Sequence, residues 1–147
     1  MVDRSKFLDA LISVREAEVL YSLQPFVVAN AIEKRTLKHY RLDKKIKLLT
    51  KNFIEDMFND PRFGIIYIVG YDRYAKIGYT TNLKARLKTL QCACPKELEV
   101  LYTFRGFQHD ERYLHNIFKN AHLRQEWFKR NKTLNNFLKR NCANAAQ

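Results

Sequence analysis

Gly64-Ile65-Ile66-Tyr67-Ile68-Val69-Gly70 is followed almost at once by Tyr74-Ala75-Lys76-Ile77-Gly78. Each run is too short for a helix, and a polar step separates them. The pattern predicts strands over Ile65–Val69 and Tyr74–Gly78, turned back on each other through Gly70-Tyr71-Asp72-Arg73. Alternation then sends Lys76 out on the same face as Gly78. An ammonium and the Tyr67 phenol stand where apolar residues would pack more simply. The pair of strands fixes a sheet, and the rest of this half must cover it.

The covering elements are legible downstream. Thr81-Asn82 suits the cap of a helix with Leu83, Leu87 and Leu90 on one stripe, ended near Cys94-Pro95. Leu98–Phe104 reads as a third strand. Asp110–Asn120 reads as a helix turning Tyr113, Leu114, Ile117 and Phe118 inward. A last helix is expected over Trp127–Arg140, with Leu134, Phe137 and Leu138 as its apolar side. The fold class expected is α+β, with a three-stranded antiparallel sheet and flanking helices.

The preceding stretch has a different rhythm. Phe7, Leu8, Leu11 and Ile12 suggest a first helix capped by Asp3 or Ser5. Ser13 followed by Glu16 has capping-box spacing, so a helix should begin at Val14. Pro25 fits the first turn of the next. Tyr40, Leu42, Ile46 and Leu48 alternate with Arg41, Asp43, Lys45 and Lys47, a small hairpin between Lys38 and Leu49. Thr50 then precedes a short amphipathic helix with Phe53, Ile54, Met57 and Phe58. Asp60-Pro61-Arg62 stops it, because proline restricts the residue before it. Two domains are expected, residues 1–60 and 61–147.

Charge separates the two as well. The net charge is +12. Residues 1–60 hold 11 basic and 9 acidic side chains, residues 61–147 hold 16 and 6. So large a cationic excess in the second part attracts polyanions and favours a nucleic-acid partner. No run approaches the roughly 18 apolar residues of a membrane span. Met1–Lys6 does not read as a signal peptide, so a reducing, cytoplasmic setting is expected. Cys92, Cys94 and Cys142 are odd in number and poorly spaced for zinc, which suggests free thiols.

Residues 13–58 resemble the excisionase-like winged helix-turn-helix family. Val14-Arg15-Glu16-Ala17-Glu18-Val19-Leu20 and Asn52-Phe53-Ile54-Glu55-Asp56-Met57-Phe58 carry the likeness. Glu18 departs from a usual small residue, and Phe26-Val27-Val28 is apolar where polar base readers often sit. The resemblance implies docking on duplex DNA, with Lys34, Arg35, Lys38, Arg41, Lys44, Lys45 and Lys47 as contact groups. The alternative is a solvated helix-hairpin face.

Residues 64 to about 130 resemble the GIY-YIG nuclease superfamily, in its phage-associated branch with a Lys-Ile-Gly second motif. Ile65-Ile66-Tyr67, Lys76-Ile77-Gly78, Arg86, Glu111-x-x-x-His115-x-x-Phe118 and Glu126-Trp127-Phe128 occur in the family's order. Leu90 stands where the wider family often has a histidine. The resemblance implies metal-dependent hydrolysis of DNA with Mg2+ or Mn2+. Tyr67 would be the general base, needing positive neighbours because a phenol has a pKa near 10. Lys76 would hold a phosphate oxygen or lower that pKa. Arg86 suits two-pronged contact with the phosphate. Glu126 would hold the metal; otherwise it is an acidic residue in the first turn of a helix. His115 either pairs with Glu111 or sits near the phosphate. Lys84 and Lys88 would be outer backbone contacts. One such centre cuts one strand, so a double-strand break requires a homodimer or two encounters. The competing expectation is a noncatalytic DNA-binding regulator on the same fold; a third is an RNA-directed factor.

Overall fold

The computed structural model describes residues 11–145, with side chains as far as Cys142. The chain divides between Phe63 and Gly64 into two compact units. Phe63 belongs to the first because its ring packs edge-on against Phe58 at 5.1 Å and its N–H donates to the Asp60 carbonyl. Both units mix helices with an antiparallel sheet.

In the first unit β1 (Leu11–Ser13) leads into α1 (Val14–Leu20) and α2 (Pro25–Glu33). A hairpin of β2 (Tyr40–Arg41) and β3 (Lys47–Thr50) follows, then α3 (Lys51–Asn59). The sheet order is β1-β3-β2. Local signals set the ends. Ser13 Oγ accepts from Glu16 N–H and donates to Glu16 Oε1, both at 3.1 Å. Thr50 Oγ1 caps α3 through Phe53 N–H. Asp43 Oδ1 takes the Lys45 and Ile46 amides and so closes the hairpin tip. The helix expected around Leu11 and Ile12 is not formed there: both residues pair with Thr50 and Leu49 as an added strand. The free edge of β3 offers backbone hydrogen bonds that outweigh a weak local helical pattern. Residues 1–10 of that expected helix lie outside the described residues.

Val27, Val28, Ala31 and Ile32 are buried on one side of α2, and Ala17, Leu37, Leu49 and Ile54 are also buried in this unit's core. Phe26-Val27-Val28 is thus chiefly core, which explains its departure from a base-reading pattern. Lys34, Arg35, Lys38, Arg41, Lys44 and Lys45 are exposed and Lys47 is half-buried.

The second unit is built on β4 (Gly64–Tyr71), β5 (Tyr74–Thr80) and β6 (Glu99–Gly106), with α4 (Leu83–Cys92) between the last two. Then come α5 (Gln108–Ile117), a 3-10 turn (Lys119–Ala121), β7 (His122–Arg124), β8 (Trp127–Lys129) and α6 (Lys132–Ala145). The sheet has five strands rather than three, in the order β6-β4-β5-β8-β7. The helix expected from Trp127 begins only at Lys132, because Trp127-Phe128-Lys129 pairs with Lys76-Ala75-Tyr74. Gln125 makes the preceding turn possible with φ 52°, in the left-handed region.

One face of this sheet is the dry core. Ile66, Ile68, Ala75, Ile77 and Phe128 are all buried there, under Leu114 of α5 and Leu134 and Leu138 of α6. Tyr113 and Ile117 are exposed rather than inward. The buried stripe of α5 is narrower than its apolar content suggests: Asp110, Leu114 and, just past the helix, Phe118 fall on it. The opposite face carries Tyr67, Val69, Lys76 and Gly78.

Candidate active site

Tyr67 lies on β4, flanked by β6 and β5, and is fully buried. Gly78 stands directly opposite on β5. The phenol ring lies across that glycine, where any Cβ would collide with the Tyr67 hydroxyl and Cζ. Glycine here makes room for the tyrosine.

Arg86 reaches the hydroxyl from the next element. Asn82 Oδ1 caps α4 by accepting from Ala85 N–H at 3.1 Å, which fixes the helix start and sets Arg86 one turn in. Arg86 Nε donates to Tyr67 Oη at 3.0 Å. Burial pushes the phenol above its ordinary value, the Arg86 hydrogen bond and charge pull it back, and Glu126 and Glu111 push it further up. The hydrogen bond to Tyr67 in turn holds Arg86 above its already high value, so it stays charged.

Glu126 arrives from the β7–β8 turn. Its backbone carbonyl accepts from Ile77 N–H at 3.1 Å, which fastens the turn to β5. Its Oε2 lies 2.7 Å from Lys76 Nζ and 3.9 Å from an Arg86 guanidinium nitrogen. The reading of Glu126 as a helix first-turn residue is therefore overturned, since the residue sits in a hairpin turn. Tyr67, Arg86, Glu126 and Lys76 form one chain of contacts across two strands, a helix and a hairpin turn. Lys76 has only 10% of its side chain exposed, whereas Arg86 and Glu126 keep 38% and 36%. Solvent thus reaches the guanidinium and the carboxylate before the ammonium.

His115 is placed differently. It packs edge-on against Phe128 on the core face, donates from Nε2 to the Ile77 carbonyl at 3.0 Å, and lies 3.6 Å from Glu111. Burial raises the Glu111 carboxyl above its usual range, His115 opposes this, and the charges of Glu126 and Lys76 are also felt. Glu111 is therefore the member of the Glu111–His115 pair that borders the cluster electrostatically. Lys84 and Lys88 are exposed on α4. Trp127, expected to open the last helix, stands on a strand and is half-buried, and Lys76 Nζ lies 5.6 Å from its ring centre. The signal for it was the Trp127–Lys129 alternation, too short to stand out.

Among the described residues no group of three or more His, Cys, Asp or Glu is placed to hold a metal ion. A single carboxylate does suit Mg2+, which keeps most of its waters and takes further oxygens from phosphate. Glu126 presents such a carboxylate at an accessible position.

A family model for the T5orf172 domain matches residues 64–142. The chain belongs to the T5orf172 domain family. This family is phage-associated and related to nuclease domains, and neither a GIY-YIG nor a helix-turn-helix family model matches. No curated protein and no solved structure matches the chain. The T5orf172 region holds the whole five-stranded sheet and all of the Tyr67–Arg86–Glu126–Lys76 cluster. No helix among the described residues is long and apolar enough to cross a membrane.

Proposed function

We propose that the T5orf172 region is a GIY-YIG-like endodeoxyribonuclease that hydrolyses a phosphodiester with a divalent metal. The observation that carries this reading is the Glu126 carboxylate, held by Lys76 and flanked by the same Arg86 that hydrogen-bonds Tyr67. Ordinary packing gives no reason to gather a phenol, two cations and one carboxylate on the less covered face of a sheet.

In the proposed reaction Tyr67 acts as the phenolate: water attacks phosphorus, its proton passes to Tyr67 Oη, and the bond to the leaving 3′ oxygen breaks to give a 5′-phosphate and a 3′ oxygen that takes a proton from solvent. Arg86 keeps Nε on the phenol oxygen, which opposes the effect of burial on its acidity, and offers its remaining N–H groups to the phosphate, where they neutralise charge as it grows. Lys76 keeps Glu126 in place and faces the same oxygens. Mg2+ or Mn2+ on Glu126 would supply further positive charge at the phosphate and beside the phenol. His115 fixes β5 through the Ile77 carbonyl and is a positioning residue in this scheme.

The first unit is proposed to dock duplex DNA as a winged-helix module. Its support is the order of α1, α2, hairpin and α3, with exposed Lys44 and Lys45 at the hairpin tip and Lys34 and Arg35 at the end of α2. Its contacts would go to phosphates, because the exposed face of α2 offers Ala29 and Glu33 rather than a row of base readers. A homodimer would convert single-strand nicking into a double-strand break.

Plasmid nicking in Mg2+ and Mn2+ tests the enzyme reading. Wild type should convert supercoiled plasmid to the open circle, while Tyr67→Phe, Arg86→Ala and Glu126→Ala should not. Equal cutting by all three variants rejects the site. One observation favours a second reading: Tyr67 is fully buried and its acidity is suppressed, as suits a structural phenol. Tight DNA binding without nicking in either metal would support that noncatalytic binding protein.

A further inference from the structure

Beside the cluster, and on the same face, lies a cavity of about 330 Å3. It opens between β4, β5, β8 and the end of α4, and is lined by Tyr71, Lys76, Leu90, Pro95, Leu98 and Trp127 among others. This size falls at the lower end of small-molecule pockets, roughly 300–1,000 Å3. Tyr71 and Trp127 stand edge to face with ring centres 5.7 Å apart. Tyr71 is braced from outside by Lys96, whose ammonium lies 5.7 Å from its ring centre and pairs with Asp72. The Tyr71 ring is thus in contact with Trp127 and close to Lys96.

Lys76 belongs to both places. Its ammonium pairs with Glu126 and lies 5.6 Å from the Trp127 ring centre, and its side chain is part of the cavity lining. A ligand seated there meets aromatic and aliphatic walls and one cation, with a phosphate site next door. A free phosphate does not fit such walls, which offer no other charged donor. A flat heteroaromatic ring with hydrogen-bond acceptors on its edge does.

We propose that this cavity receives one unstacked nucleobase of the strand whose phosphate lies at Arg86 and Glu126. The substrate class of the T5orf172 region is then DNA in which a base leaves the stack at little cost: a single strand, a gap, an unpaired position, or the opened stretches of an underwound supercoiled plasmid. Extruding a base from intact duplex costs stacking and pairing energy, which a free base has already lost. This inference rests on the nuclease reading for its neighbouring phosphate.

Trp127 is the only tryptophan of the chain, so its emission reports directly on the cavity. The full chain in EDTA is titrated with a fluorescein-labelled single-stranded DNA and with a strand of equal length whose nucleotides are abasic. Anisotropy gives binding and tryptophan emission gives occupancy. The base-bearing strand should quench Trp127 and bind at least about fivefold more tightly than the abasic strand. Leu90→Phe, which fills the cavity, and Tyr71→Ala, which removes a wall, should each shrink that difference. A duplex with one unpaired base should quench more than its fully paired counterpart. Unchanged emission, with or without binding, overturns the proposal, and so does equal affinity for the two strands. Nicking in Mg2+ is scored separately: quenching without nicking removes the nuclease reading and keeps the cavity assignment, and nicking without quenching does the reverse.

Discussion

The two faces of the five-stranded sheet come from alternate residues of the same strands and share no chemistry. On one, Ile66, Ile68, Ala75, Ile77 and Phe128 are closed over by α5 and α6. On the other, Tyr67, Lys76 and Gly78 lie under α4, none of whose own side chains is fully buried. A sheet needs only one dry face to be stable. The second face is then open to residues that packing would not choose, held at fixed spacing by the first. Stability should therefore live on one face and activity on the other.

The largest effect expected from breaking that division is Phe128→Ala. It empties a fully buried ring site on the core face and should cost about 3–5 kcal/mol in denaturant unfolding. On the opposite face, Arg86→Ala and Glu126→Gln, which keeps an acceptor for the nearly buried Lys76, should each slow nicking by roughly 100- to 1,000-fold, with a smaller fall in unfolding midpoint than Phe128→Ala. Gly78→Ala probes the seam between the two behaviours. Its Cβ must displace the Tyr67 ring, so about 1–3 kcal/mol of stability and most of the nicking should go together.

The smallest effect is one of pH. Because burial raises the Tyr67 phenol, the phenolate needed to accept a proton grows as pH rises. Nicking should therefore increase steadily from pH 7 to 9. The same shift has the opposite sign for stability. A phenol raised on folding is favoured in its protonated form, so its contribution is intact below about pH 10 and is lost as pH climbs above it. A flat rate from pH 7 to 9 would argue against Tyr67 as the base.

Much of this was legible because local rules decided it. Ser13, Thr50 and Asn82 cap their helices through their own side chains. The β4–β5 hairpin follows from two apolar runs and a short turn. The misreadings share another cause. Leu11–Ser13 and Trp127–Lys129 are three-residue segments whose state is set by a partner strand far along the chain, β3 for one and β5 for the other. The β7–β8 turn also lacks the glycine or asparagine that commonly marks one, since Gln125 takes the left-handed conformation. Missing that hairpin hid how Glu126 reaches Lys76, and it hid the half-buried face of Trp127. The Tyr67 ring fills the space that the missing Gly78 side chain leaves. Reading that fit requires knowing which residue stands opposite, and cross-strand register is not written in either strand alone.

The central claim is that the Tyr67 hydroxyl does chemistry rather than packing. Tyr67→Phe isolates it, because the ring that covers Gly78 remains and only the oxygen held by Arg86 is removed. Plasmid nicking by this variant in Mg2+, with thermal unfolding measured on the same preparation, is the direct test. The account predicts at least about 100-fold slower nicking at a nearly unchanged midpoint. A Tyr67→Phe protein that nicks as fast as wild type would contradict it.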